Sequence, residues 1–388
     1  MAGAFIERLG LALQARGHAV EVLAPADQGA GGREERGGVA IERVRYGAPA
    51  DEVLAYRGTM ADAVRSLTGL RSFARLVGAL RAAISERVRQ RAADLVHAHW
   101  WLPAGMAAWR ARAGGGGGPP YVVTLHGTDV ALLRRSALAR AVARRVLGRA
   151  AGVTAVSHFL AGEAAVACGL EEPRVTVQPM PIVMDRPDRP DRPDRPDRPD
   201  RPRGEGGEVE VVSIGRLTRQ KRLDLLLAAV RRLVETEFPV HATIVGDGPE
   251  RGALEALTAR LELSHRVRFT GAVRPDEVGR YLQASDVFVF PAEREGFGLA
   301  AAEALMHGVP VLACTDGGGA REIAEGPGGR VVPPDTVELA DGIRSLVGDS
   351  EVRGEARAAG EKWRRTLAPA VAAETFETVY ERALGERA

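Results

Sequence analysis

Glu295 and Glu303 stand eight positions apart in the stretch PAEREGFGLAAAEAL, residues 291–305, with Gly296, Phe297 and Gly298 between them. The run before them, Val287-Phe288-Val289-Phe290, is short, apolar and rich in strand formers. From Leu299 onward the residues are good helix formers. A strand-to-helix joint of this kind has chemical uses. Glycines let a ligand approach the backbone closely. The first amides of the helix lack intrahelical acceptors and attract anions, phosphate above all. A carboxylate beside such a site is electrostatically unfavourable unless it has another task, and accepting hydrogen bonds from hydroxyls is one.

A second loop supplies cations. Gly215, Arg216 and Lys221 follow the strand-like run Val209 to Ile214, with Arg216 just past the strand exit and Lys221 at the helix entry. Oriented cations of this sort stabilise a departing diphosphate, arginine by forking onto it and lysine as a point charge. Arg219 and Arg222 share the loop, so only position favours Arg216 and Lys221. Taken together, amides from Gly296 to Leu299 suit a diphosphate, Glu295 a hexose, and Glu303 in the second helical turn a ribose. That combination describes a nucleotide-sugar. No Asp-x-Asp pair occurs, so no metal site is expected, and Arg216, Lys221 and the helix N-terminus take the metal's place. His126, in Thr124-Leu125-His126-Gly127-Thr128-Asp129, stands at another strand exit and is placed to face a ligand cleft. His97 and His99 alternate onto one strand face. As metal ligands they need further partners, and none can be placed.

These loops need strands and helices in alternation to hold them. Asp94 to His99, Tyr121 to His126 and Gly152 to Ser157 are strand candidates of the first half. In the second half the strands are expected at Val209 to Ile214, Val240 to Val245, Val287 to Phe290, Val309 to Ala313 and Gly329 to Val332. Short apolar strands of this type indicate parallel sheets covered on both faces. Between the halves the sequence reads six copies of Asp-Arg-Pro at 185–202. Proline at every third position forbids helix and marks a linker. The predicted organisation is a domain over 1–183, a linker over 184–207, a second α/β domain over 208–368 and a terminal helix within 369–388. The opening residues read as a helix feeding a strand, so the first strand of the N-terminal domain is expected to be missing.

The 388 residues carry 53 basic and 51 acidic side chains, a balance that gives no ground for a nucleic-acid partner. Two widely spaced cysteines, Cys168 and Cys314, fit a reducing cytoplasm. No apolar run approaches the roughly 20 residues of a membrane span. Residues 131–149 read as one amphipathic helix, with Leu132, Ala139, Ala143, Val146 and Leu147 on one side and arginines on the rest. That pattern reads first as a solvated face, with peripheral contact with the inner face of a membrane as the alternative.

The chain resembles the retaining GT-B glycosyltransferases of family 4, the glycosyl transferases group 1. The resemblance rests on Gly215-Arg216-Leu217 through Lys221, Gly246-Asp247-Gly248-Pro249, Glu295 through Glu303, His126-Gly127-Thr128, the glycine turn Gly317-Gly318-Gly319, and Val331-Val332-Pro333-Pro334. It implies two Rossmann-like domains facing across a cleft. The second would bind a UDP-, GDP- or ADP-type donor and the first the acceptor, a sugar or a lipid-linked sugar. The final helix would cross back to the first domain. His126 would contact the donor sugar, and transfer would retain configuration with no cofactor beyond the donor substrate. Gly3 would be the last glycine of an N-terminal phosphate or acceptor loop. The alternative is a nucleotide-sugar-binding GT-B protein acting as an epimerase, or one made inactive by its missing first strand.

Overall fold

A computed structural model describes residues 4–28, 31–55, 66–90, 93–113, 118–170, 175–182 and 207–385. The Asp-Arg-Pro repeat and Gly3 lie outside these residues. The chain divides into two compact units, Met1–Val183 with Leu367–Ala388, and Met184–Thr366.

In unit 1, helix α1 (Ala4–Ala15) ends at Gly17, whose φ of 94° closes it, and leads to β1 (Glu21–Pro25). A hairpin that the sequence reading did not find, β2 (Gly32–Arg36) and β3 (Val39–Val44), follows. It places β3 parallel to β1. Helix α2 (Leu67–Arg89) is capped by Ser66, which accepts from the Gly69 amide at 3.0 Å. Its Arg87 joins Glu21 of β1, at 2.8 Å, and Glu42 of β3. A second sheet runs β4 (Val96–His99), β5 (Tyr121–Leu125), β6 (Gly152–Ala155) and β7 (Val175–Val177), all parallel and in chain order. Among the described residues no strand joins β1 to β4. Both are only partly buried, whereas every residue of β5 is buried between paired neighbours.

Helix α3 (Met106–Ala113) precedes β5. The segment read as one helix over 131–149 is two, α4 (Thr128–Arg135) and α5 (Ala137–Leu147). The break is at Ser136, whose extended backbone lets its hydroxyl accept from the Ala139 amide at 3.1 Å and start a new helix. Ala139, Ala143, Val146 and Leu147 are buried in the unit's own core. The apolar stripe is therefore not a lipid-facing surface. Helix α6 (His158–Cys168) completes the layer. No helix among the described residues is long and apolar enough to cross a membrane.

Unit 2 holds one six-stranded parallel sheet in the order β10-β9-β8-β11-β12-β13. Its strands are β8 (Val209–Ile214), β9 (Val240–Val245), β10 (Val267–Phe269), β11 (Val287–Phe290), β12 (Val311–Cys314) and β13 (Gly329–Val332). The chain begins at the centre, builds outward through β9 and β10, then returns to the other flank of β8 with β11. The switch point thus falls between β8 and β11, paired at Val211↔Val287 and Val212↔Phe288. Connections leave that point in opposite directions and open a crevice beyond the strand ends.

The helices α7 (Leu223–Glu235), α8 (Arg251–Arg260), α9 (Pro275–Gln283), α10 (Leu299–Met306), α11 (Gly319–Ala324), α12 (Thr336–Gly348) and α13 (Ser350–Thr366) surround this sheet. Helix α7 shows how the pattern works. Leu223, Leu226, Leu227, Val230 and Leu233 recur at helical spacing and all are buried against the sheet. The last helix, α14 (Pro369–Gly385), belongs to unit 1, where Ala372, Ala373, Phe376, Val379 and Ala383 are buried.

Candidate active site

The residues singled out in the sequence fall in two clusters, one in each unit. In unit 2 the loops leaving β8 and β11 meet at the switch point. The Lys221 ammonium lies 2.8 Å from the Glu295 carboxylate, with both side chains about one-fifth exposed or less, at 15% and 21%. The ammonium also sits 4.4 Å from the centroid of Phe290, the last residue of β11. Two residues 74 positions apart are thereby opposed at the mouth of the sheet.

Close backbone packing makes this mouth possible. Gly246 has φ 133°, and a Cβ there would fall 2.0 Å from the Gly215 carbonyl oxygen. Only glycine lets the loops after β8 and β9 touch. Gly298, at φ 91°, is the N-cap of α10, and a Cβ would come within 2.9 Å of Ala320. Helix α10 thus starts at Leu299, its first residue being 44% exposed, directly after the loop that carries Glu295, and its leading amides lack intrahelical acceptors. The Glu295 backbone is fixed on both sides. Its amide donates to the Gly317 carbonyl at 3.0 Å, and its carbonyl accepts from the Gly319 amide at 2.8 Å.

Glu303 is half-buried in the second turn of α10. Arg216 is exposed on the loop after β8, next to Gly215. Phe297 packs its ring edge-on against Trp363, 5.9 Å between centroids, so its side chain serves packing. Gly296 lies between Glu295 and Phe297 on the same turn. Of the other basic residues in the β8 loop, Arg222 turns to Asp316, and Arg219 is exposed.

The unit 1 cluster is built on strand ends β4 and β5. His99 Nδ1 lies 3.0 Å from His126 Nε2. The His126 ring packs at a tilt against Trp100 and Phe5 at centroid distances of 4.6 and 5.1 Å. His97 is held elsewhere, with Nδ1 2.7 Å from the Tyr380 hydroxyl of α14 and Nε2 2.6 Å from the Thr124 hydroxyl. Its nitrogens are used in tying the last helix to the sheet. Burial, with the neighbouring histidines, holds His97 and His126 well below the usual imidazole range, and burial lowers His99 to about 4. The three rings are therefore neutral near pH 7.

Asp129 fixes the turn that carries His126. One carboxylate oxygen accepts from the amides of His126 and Gly127, at 3.1 and 3.0 Å, and the other from Trp101 at 3.2 Å. Burial raises its pKa against those hydrogen bonds. Asp129, His99, Arg222 and Asp316 were not assigned from sequence. For Asp129 the signal was present: an aspartate two residues after a strand-exit glycine is a common acceptor for turn amides.

A six-stranded parallel sheet with its switch-point loops carrying a lysine–glutamate pair and a glycine-capped helix defines a doubly wound α/β architecture, in which ligands bind beyond the strand ends. Comparison with known proteins gives the family. Residues 2–186 match the model described as Glycosyltransferase Family 4, and residues 194–363 match Glycosyl transferases group 1. The chain is 31% identical over 302 residues to a 2-deoxystreptamine glucosyltransferase of Streptomyces kanamyceticus, covering 73% of this chain and 76% of that protein. It is 28% identical over 304 residues to an N-acetyl-alpha-D-glucosaminyl L-malate synthase of Bacillus anthracis, covering 78% and 77%. Its fold matches sucrose-phosphate synthase from Thermosynechococcus elongatus, with a TM-score of 0.76, 21% identity and coverage of 100% and 94%. It also matches Anabaena HepE in complex with UDP-glucose, with a TM-score of 0.69, 21% identity and coverage of 98% and 96%. The chain belongs to the family 4, group 1 glycosyltransferases of GT-B fold, and it is a glycosyltransferase.

Proposed function

We propose that this enzyme moves a hexose-type sugar from a nucleoside-diphosphate donor to a hydroxyl of a sugar acceptor, free or lipid-linked, with retained anomeric configuration and no divalent metal. The opposition of Lys221 and Glu295 at the switch-point mouth carries this reading. A diphosphate seated on the α10 amides takes Lys221 and Arg216 as counter-charges. The released Glu295 carboxylate accepts hydrogen bonds from the sugar hydroxyls, and Glu303 takes the ribose. The bond between anomeric carbon and phosphate oxygen breaks as the acceptor oxygen bonds to that carbon on the same face. The acceptor proton passes to the departing phosphate. The cations and amides stabilise charge as it develops there. His126, kept neutral by burial, serves as a hydrogen-bonding partner of the donor sugar.

Glucosyl and N-acetylglucosaminyl transfer in the names of relatives supports a hexose-type donor. The UDP-glucose held by HepE supports a uridine nucleotide. Two free, buried cysteines suit a reducing compartment such as the cytoplasm. If the acceptor is lipid-linked, the exposed arginines 134, 135, 144, 145 and 149 supply the contact with anionic lipid.

The test is nucleotide release from UDP-, GDP- and ADP-sugars, with and without acceptors, followed by NMR of the product's anomeric proton. Release with an inverted product removes the retaining mechanism. A chain that binds and cleaves none of these donors removes the donor assignment.

A further inference from the structure

Three consecutive residues of the β8 loop each reach a different part of the neighbouring loops. Gln220 donates its side-chain amide to the carbonyls of Glu293 and Arg294, at 3.1 and 3.2 Å, and its own carbonyl accepts from the Glu293 amide at 2.9 Å. Lys221 pairs with Glu295. Arg222 donates from Nε to the Pro291 carbonyl at 2.8 Å and forks onto Asp316 with bonds of 2.9 and 2.5 Å. The Arg294 amide in turn donates to the Asp316 carbonyl at 2.8 Å. Loops after β8, β11 and β12 are therefore tied at one point by a planar guanidinium with its three nitrogens engaged. Arg222 and Arg294 both take left-handed backbones, with φ of 46° and 48°. Non-glycine residues hold that conformation where their surroundings over-determine it.

We propose that Arg222, with Asp316 and Gln220, forms a clamp of positioning residues that sets the separation of Lys221 and Glu295 for donor binding. The inference rests on the donor reading above. It gives three of the basic residues in that loop different tasks. Lys221 and Arg216 serve the ligand, whereas Arg222 serves the loops. A fork onto a carboxylate fixes direction as well as distance, which a lysine at this position cannot do.

Arg222→Gly is the informative variant, because glycine keeps the left-handed backbone while the side chain that carries the guanidinium is removed. Asp316→Ala removes the other half. The full chain is titrated calorimetrically with UDP, GDP and ADP, and backbone hydrogen–deuterium exchange is followed without ligand. Each variant is expected to weaken the nucleotide that the unaltered chain binds by roughly 10- to 100-fold. The double variant is no weaker than either single within about twofold. Exchange rises in residues 291–298 and 315–319 and stays unchanged in β5.

Added to Lys221→Ala, Arg222→Gly costs less than about twofold more, since the arginine acts through the lysine. A full additional loss in that background overturns the positioning role, as does unchanged exchange in Arg222→Gly. If Lys221→Ala itself leaves nucleotide affinity intact, the donor reading fails and the positioning role fails with it. Loss on Lys221→Ala with none on Arg222→Gly overturns the clamp alone.

Discussion

At the scale of single residues, Lys221 and Glu295 are interdependent. Each neutralises the other across 2.8 Å, so removing either leaves a largely buried charge without its partner as well as a ligand group missing. Lys221→Ala and Glu295→Gln are each expected to lower kcat/KM by about 100- to 1,000-fold, the range for loss of one group that meets developing charge. Lys221→Arg should recover part of this, because charge is restored with altered geometry. Nucleotide release from the preferred donor measures all three.

The histidines lead to a pH prediction. His97, His99 and His126 have pKa values depressed below 6.5 in the folded chain, His99 to about 4. Below pH 6.5 the unfolded chain therefore binds more protons, and stability falls on acidification between about 6.5 and 4. Each histidine contributes a slope of up to about 1.4 kcal/mol per pH unit in that window. Thermal unfolding from pH 7.5 downward should show the decline, and His99→Phe should make it shallower. An unchanged slope in that variant would mean that His99 is not held neutral.

At the scale of elements, α14 illustrates a segment whose worth lies in where it docks. Phe376 is fully buried, and its ring lies 4.9 Å from His97. Glu377 bonds Arg16 at 2.6 Å and His18 at 2.8 Å, and those partners, Arg16 foremost, hold its pKa at about 2. The exposed pair contributes little, while the ring carries the burial. Phe376→Ala is expected to destabilise unit 1 by about 3–5 kcal/mol, read as a lower urea midpoint for that unit. Glu377→Ala should shift it only slightly. Most elements that position the donor residues were legible in the sequence. Strands β8, β9, β11 and β13 lie where apolar runs bounded by glycine or proline place them, and α7 follows from leucine spacing. The β2–β3 hairpin was not legible, because GREER is charged and its strand state comes from pairing with β3. The continuous helix over 131–149 was misread, because Ser136 interrupts a pattern that periodicity alone would carry through.

At the scale of the whole molecule, the proposed chemistry draws on cations and backbone dipoles rather than on a bound ion. Turnover is therefore expected to persist in excess EDTA and to be restored by no added divalent metal beyond its starting value. Loss of activity on chelation, recovered with Mg²⁺ or Mn²⁺, would reverse this expectation. Ionic strength should act the other way. Raising salt should weaken donor binding more than it lowers kcat, because screening acts on the attraction between the diphosphate and its proposed counter-charges, of which Arg216 is exposed.

The sequence by itself determined the alternation of strands and helices, the glycines at the strand exits and the family to which the chain belongs. These follow from local preference: which residues pack on a covered sheet, which cap a helix, which tolerate a left-handed backbone. The tertiary structure alone decided that β8 and β11 are neighbours, that Lys221 faces Glu295 across 74 positions, and that Arg222 is engaged with Asp316. Strand order sets those meetings, and order depends on how whole faces are buried together, a quantity that no local stretch of residues contains.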